Sequence, residues 1–426
     1  MPGAISDIAR THLRWMLTEG IGPILFSRVL AHFGDADRAL AAAPGSMTQV
    51  KGIGQSVADS IARTRDSAET LAKVEAEIAA AEALGIRILC REDELYPAGL
   101  RHIPDPPIVL YIRGDLRPTD AVAIAVVGSR RCTIYGSEQA RRFGELLAGA
   151  GFTVVSGLAR GIDAFAQHGA VDAGGRSIAV MGCGLTEVYP PENAALAEKL
   201  LDCGAWISEL PLKASVRAQN FPSRNRIIAG ITLGTLVVEA AARSGALITA
   251  KLASEYNREV FAVPGRIQDP MSIGTNDMIR RGHAKLTTCL EDILDELGDI
   301  GTAMRGDDAV TSARGAAAER LARPGDDRVV NAPAPLSAPA ATANGAAGDP
   351  SASGENGLRQ PPRPTPVLTE CERRVYEIVG VEPSLQDAVM ARAQLPPGEV
   401  LAAFTGLELK RLIKRLPGQW VVRTGR

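Results

Sequence analysis

The stretch "AIAVVGSRRCTIYGSEQARRFGELLAGAG", residues 123–151, decides how the chain is read. An unbroken apolar run, Ala123 to Val127, stops at Gly128-Ser129 and meets Arg130 and Arg131, after which apolar residues take up helical spacing. The order predicted is a strand, a phosphate-binding turn and a helix. The G-x-G-x-x-G spacing of a dinucleotide site is absent, so the stretch raises the question of which anion the turn holds.

Similar apolar runs recur on either side. "AVAIAVVGS", "FTVVSG", "SIAVMGCG", "AWISEL", "TLVVEAA" and "VFAVPG" are short, and most are separated by segments with helical spacing. Continuously apolar strands alternating with helices predict an α/β fold: a Rossmann-like, mostly parallel sheet covered on both faces, over residues 85–298. Residues 1–84 read as a helical domain. Within it, "VKGIGQSVADSIA" (50–62) fits a helix-hairpin-helix, with Val50, Gly52, Ile53 and Gly54 in the turn and Ala58 on the second helix. "EGIGPILFSRVL" (19–30) reads as a second copy. Such hairpins either cradle a DNA phosphate or serve as packing modules.

Residues 299–366 are rich in Ala, Pro, Gly and Ser, as in "NAPAPLSAPAATANGAAGDPSASGENGLRQPPRPTP". That composition buries too little apolar surface to offset ordering, so a disordered linker is expected. From 367 to 426 three helical patterns and a strand follow, the order of a small winged-helix domain. Its last helix is expected to carry Lys410, Arg411, Lys414 and Arg415.

Composition narrows the class. Of 426 residues, 46% are apolar and 23% charged, which suits a soluble globular protein. The net charge of -2 means that any basic surface is local. Six scattered cysteines without a C-x-x-C pair, and five unclustered histidines, suggest neither a disulfide framework nor a metal site. No signal pattern or long apolar run appears, so no membrane partner is expected and a reducing cytoplasm is the natural setting.

In an open parallel sheet, ligands sit beyond the carboxyl ends of the strands. The turns there are "GSRR" (128–131), "SGLARGID" (156–163), "GCGLTEVYPPEN" (182–193), "EAAARSGALIT" (239–249) and "PGR" (264–266). Glycine amides, hydroxyls, helix N-termini and arginine forks recur, and these are what phosphates bind. Any one turn is as well explained as a plain strand–helix junction; their recurrence points to a crevice for phosphates. "FPSRNRIIAG" (221–230) lies between strands. Phe221 could stack a base while Arg224 and Arg226 reach phosphates; equally, Phe221 could be core and the arginines anchors to acidic neighbours.

No P-loop, H-E-x-x-H or G-x-S-x-G motif occurs. Glu209, Glu239 and Asp163 are the best-placed acids, and without a paired base they are read as orienting arginines and loop amides. One enzymatic alternative stands. "LGTLVVEAA" (233–241) resembles part of the G-G-x-G-T-x-x-E signature of nucleotide-monophosphate phosphoribohydrolases of the lysine-decarboxylase-like group. Here three residues, not two, separate Thr235 from Glu239.

The longer motifs converge elsewhere. "AIAVVGSRRCTIYG", "VVSGLARGIDAFAQHGAVDAGGRSIAVMGCGLTEVYPPEN", "ISELP", "FPSRNRIIAGIT", "LVVEAAARSGALITAKLASEYNREVFAVPG" and "GTNDMIRRGHAKL" resemble, in order, the DNA-processing protein A family (DprA, also called Smf). The resemblance implies a non-enzymatic, cytoplasmic protein without cofactor or metal. It implies that the sheet domain binds and protects single-stranded DNA, helps load RecA recombinase onto it during natural transformation, and forms a homodimer. By motif, Gly128, Ser129 and Arg130 would line a phosphate pocket, faced by Ser156, Gly157 and Arg160. Phe221, Arg224, Asn225 and Arg226 would complete the DNA surface. Met278, Ile279 and Leu286 fall in the region expected for self-association. Gln167 stands where the family usually has His. The turn "GSRR" is then expected to hold a DNA backbone phosphate. A scaffold whose winged helix, and not its sheet, binds nucleic acid is the remaining alternative.

Overall fold

The computed structural model describes residues 5–304 and 368–423, the latter apart from 381–383, 394, 397–398, 401–402, 405–406, 409, 411 and 417–419. It divides into two units, Met1–Pro333 and Ala334–Arg426.

The first unit opens with six helices: α1 (Asp7–Met16), α2 (Pro23–Phe33), α3 (Ala36–Ala41), α4 (Pro44–Met47), α5 (Gln55–Asp66) and α6 (Ala68–Ala83). Ser6 and Ser67 cap α1 and α6, their hydroxyls accepting from Ala9 and Thr70 amides. The two hairpin turns sit just ahead of α2 and α5 and pack reciprocally, Gly20 against Val57 and Gly52 against Leu25 and Arg28. Val50, Ile53 and Ala58 are core.

Strands and helices then alternate: β1 (Ile86–Leu89), β2 (Leu110–Gly114), β3 (Ala123–Val127), α7 (Ile134–Gly149), β4 (Thr153–Ser156), α8 (Ile162–Asp172), β5 (Ser177–Val180), α9 (Ala194–Cys203), β6 (Gly204–Ser208), α10 (Asn220–Ile231), β7 (Gly234–Val237), α11 (Ala246–Glu255), β8 (Glu259–Ala262), α12 (Ile273–Arg280), β9 (Lys285–Leu286), α13 (Leu290–Glu296) and α14 (Asp299–Ala303). They form one nine-stranded sheet, ordered β1-β2-β6-β5-β4-β3-β7-β8-β9. From β6 to β9 all pairing is parallel; β1 and β2 add an antiparallel margin. The six apolar runs read from sequence are β3 to β8. The margin strands β1 and β2 were not among them: "IRIL" alternates buried and half-exposed residues and so lacks the continuously apolar signature, whereas β2 continues the buried apolar run "IVLYI" (108–112).

The strand order reverses between β3 and β7. Successive strands run outward from β3 through β4, β5 and β6 on one side and from β7 through β8 and β9 on the other. That makes the carboxyl ends of β3 and β7 the switch point, where such sheets open a crevice. Every residue of β3 and β7 is buried, because helices cover both faces. Phe143, Phe152 and Phe261 belong to one core, and Ile227, Ile228 and Tyr256 to another. A third core runs from Trp15, Phe26 and Val74 of the helical module to Tyr111 and Trp206 of the sheet margin.

The linker expected from residue 299 does not start there. Residues 299–304 are still folded, α14 placing Ile300 and Met304 in the core with Phe143. Two apolar residues at helical spacing suffice to hold that turn. The rest of that stretch lies outside the described residues.

The second unit contains α15 (Glu370–Ile378), β10 (Ser384–Leu385), α16 (Gln386–Ala393), β11 (Ile413–Leu416) and β12 (Trp420–Arg423). The strands form a sheet ordered β10-β12-β11 over a core that includes Val375, Val389, Phe404 and Leu407, a winged-helix arrangement. Thr369 and Glu372 form a capping box at the start of α15. One expectation fails here. Lys414 and Arg415 are not on a helix but on β11, paired with Val422 and Val421. The run "IKRL" is apolar, basic, basic, apolar, an i, i+3 spacing that continues the preceding helical pattern and carries no strand period. Lys410 pairs with Glu372 at 2.5 Å, and Arg411 lies outside the described residues.

Candidate nucleic-acid interface

A cleft of about 760 Å³ opens at the switch point. Its walls come from the turn after β3 (Gly128 to Arg131), the turn after β7 (Ala241, Arg243, Ser244), the first turn of α11, and α10 (Phe221, Arg224, Asn225). Its lining carries four arginines, Arg130, Arg131, Arg224 and Arg243, against one acid, Asp163. In a chain of net charge -2, this is a local cationic groove of the kind that concentrates polyanions.

The Gly128–Arg131 turn is held from below by Glu239. Its backbone carbonyl accepts the Ser129 amide at 2.8 Å. Its carboxylate accepts the Thr133 amide at 2.9 Å and the Thr133 hydroxyl at 2.5 Å. Thr133 in turn caps α7, accepting from the Gly136 amide. Glu239 is 1% exposed and sits where any side chain at Gly136 would go. A carboxylate at a helix N-terminus with both oxygens engaged is a structural anchor. It is not free to act on a ribose, which removes the acid that the phosphoribohydrolase reading needs.

Arg130 extends over the Phe221 ring, 4.9 Å from its centroid. Phe221 is also 5.8 Å from the Tyr189 ring. A guanidinium lying on an aromatic face keeps its remaining N–H groups for an incoming oxygen. Beneath them, Arg224 is 4% exposed and donates to the Val180 carbonyl. Burial pushes its pKa down to about 10, opposed by Asp163 and reinforced by Arg130; at neutral pH it stays charged. Its Nε is buried without a hydrogen-bond partner. Gly157 is glycine because a side chain there would overlap the Arg224 guanidinium. Asp163 accepts the Gly157 amide at 3.1 Å, and burial raises its pKa.

The ten expected DNA-contacting residues therefore divide. Gly128, Ser129, Arg130, Phe221, Arg224 and Asn225 line the cleft. Gly157 supports it from behind Arg224. Arg160 stands at the rim: its neighbour Gly161 packs on the Ser129 carbonyl, but its side chain is half-exposed and paired with Glu192, outside the lining. Ser156 does not reach the cleft. It ends β4 fully buried and donates to the Val126 carbonyl at 2.6 Å. Arg226 does not reach it either. At 6% exposure it is clamped between Glu209 and Asp105, the latter at 3.3 Å. "FPSRNR" is helical, and positions two apart on a helix point about 200° from each other, so Arg224 and Arg226 cannot share a face.

Arg131, Arg243 and Tyr189 were missed as individual residues, although all three lie in turns flagged at strand ends. Gln167 is fully buried. It accepts the Leu158 amide and donates to Ser177 and Ile178, each at 3.2 Å. It does not line the cleft.

The family model for DNA recombination-mediator protein A matches residues 87–298. Models for a DprA-like N-terminal HHH domain and a DprA winged helix domain match 7–80 and 359–419. Protein Smf of Synechocystis is 33% identical over 410 residues, 95% of this chain and 96% of that protein. The chain belongs to the DprA/Smf family. DNA processing protein DprA of Streptococcus pneumoniae is 41% identical over 204 residues, 48% of this chain and 72% of that protein. The X-ray structure of DprA from that organism superposes with a TM-score of 0.58 at 32% identity, covering 69% of this chain and 99% of the other. Among the described residues, no helix is long and apolar enough to cross a membrane.

Proposed function

We propose that the chain binds single-stranded DNA in the switch-point cleft, protects it during DNA uptake and recombination, and passes it to RecA recombinase without breaking a bond. The observation that carries this reading is the Arg130 guanidinium on the Phe221 face, at the mouth of a groove with four arginines and one acid. Basic groups spaced along a groove, interleaved with aromatic faces, suit a flexible strand whose bases stack and whose phosphates repeat. The family's name, recombination mediator, supports the step to a recombinase.

If each cleft arginine neutralises one phosphate, the logarithm of the binding constant falls with the logarithm of salt by a slope of about -2.8, at roughly 0.7 per phosphate. Anisotropy titrations of a labelled oligothymidylate at several salt concentrations measure it. A slope near zero would remove the phosphates from the account.

Self-association is proposed along β9. Among the described residues that strand pairs only with β8, and Leu286 is 45% exposed on it. Met278 and Ile279 are half-buried against the sheet core, so they position this edge more than they present it. Leu286→Glu is expected to shift the protein toward monomer in analytical ultracentrifugation; an unchanged distribution counts against this edge.

A further inference from the structure

We propose that His12, Cys90 and Glu92 form a zinc site that ties α1 to the end of β1. His12 is far in sequence from Cys90 and Glu92, and nothing in the spacing suggests a site. In the fold, a His12 ring nitrogen, Cys90 Sγ and a Glu92 carboxylate oxygen all lie within 4.8 Å of one another, and this is the one such group of three or more His, Cys, Asp and Glu among the described residues.

Each donor is already oriented. The His12 ring is 1% exposed, and its Nδ1 lies 3.2 Å from the Ile108 carbonyl. A carbonyl can only accept, so Nδ1 carries the proton and Nε2 keeps its lone pair on the side of Glu92. A backbone carbonyl holding the far nitrogen is the usual support for a metal-bound imidazole. Nε2 is 3.5 Å from Glu92 Oε2, while Arg91 Nε approaches the other oxygen, Oε1, at 3.7 Å. Cys90 is fully buried, and its sulfur accepts the Glu92 amide. The Cys90 amide donates to Asp93 Oδ2 at 2.7 Å, and Asp93 Oδ1 accepts from Ser6, the cap of α1, at 3.0 Å. The turn that carries two donors is thus pinned to the helix that carries the third.

The donor set is chemically matched to zinc. One thiolate, one neutral imidazole and one carboxylate balance a doubly charged ion, and sulfur with nitrogen selects zinc over magnesium or calcium. Tetrahedral bonds of about 2.0–2.3 Å place donors roughly 3.3–3.8 Å apart, so closing the site asks for about an ångström of movement. Glu92, the exposed member, can supply it by rotation. Three protein donors leave a fourth position for water on the open, Glu92 side. A His–Glu hydrogen bond alone accounts for two of the groups but not for the sulfur within 4.8 Å of both.

The test uses the full chain, stripped with a chelator and titrated with Co²⁺ and then Zn²⁺. One Co²⁺ per chain is expected, with a thiolate-to-cobalt charge-transfer band that Zn²⁺ abolishes. Cys90→Ser should lose the band. Glu92→Gln, at an exposed position that leaves the fold intact by circular dichroism, should weaken Zn²⁺ competition at least tenfold, the low end of what even an outer partner contributes. Absence of bound metal, a band that survives Cys90→Ser, or unchanged affinity in Glu92→Gln would each overturn the site. If Cys90→Ser does not fold, the Glu92→Gln titration decides alone.

Discussion

Arg130→Ala is expected to weaken single-stranded DNA binding by about 10- to 100-fold while leaving the unfolding midpoint nearly unchanged. The loss follows from one charge-assisted contact, worth about 1.5–3 kcal/mol net when the partner is ionised. The fold is spared because Arg130 is exposed, and its contact with Phe221 contributes about 0.5–1 kcal/mol at such a site. Arg130→Lys should fall between: the charge remains, but an ammonium neither stacks flat on the ring nor forks onto a phosphate. Anisotropy titration beside thermal denaturation separates the two effects. Unchanged affinity with an unchanged midpoint would take Arg130 out of the interface.

Arg226→Ala should do the opposite. Arg226 lies between Glu209 and Asp105, and burial raises the Glu209 pKa against the pull of Arg226. Removing the cation leaves a buried carboxylate without its counter-charge, a loss of about 3–5 kcal/mol. The unfolding midpoint should drop by several degrees, and the protein that remains folded should bind DNA as before. Adding Glu209→Gln to Arg226→Met should recover part of the loss, because the orphaned charge is the main cost. If Arg226→Ala instead lost DNA affinity at full stability, the division between cleft and clamp would be wrong.

These two arginines also mark where the sequence stops being legible. The composition "FPSRNR" is what a DNA groove uses, and the same composition serves an ion-pair anchor. The helical turn of α10, not the residue types, sends Arg224 to the cleft and Arg226 to the acids. Ser156 fails for a similar reason. Hydroxyls at strand ends suit anion sites, but the pleat of β4 turns this one toward the Val126 carbonyl. The parallel strands were readable because continuous burial leaves continuous apolar runs; half-exposed β1 leaves none, while the buried run "IVLYI" (108–112) that leads into β2 was equally readable and went unread. Glu239 was readable as an acid at a strand end. Its role as the anchor beneath the Gly128–Arg131 turn needed the Thr133 contacts.

The expected winged-helix basic face fares differently from the cleft. Lys410 is paired with Glu372, and Lys414 and Arg415 belong to a strand. No continuous basic helix therefore presents the four residues once grouped together. The cleft, by contrast, collects its arginines from two separate turns and a helix.

The most direct test of the central claim is an anisotropy titration of a labelled oligothymidylate with residues 1–304, a cut placed after Met304 because Ile300 and Met304 are core. The truncated chain should bind with the affinity of the full chain and lose that affinity on Arg130→Ala. Binding that disappears with the truncation, or that persists through Arg130→Ala, would put the DNA somewhere other than the switch-point cleft.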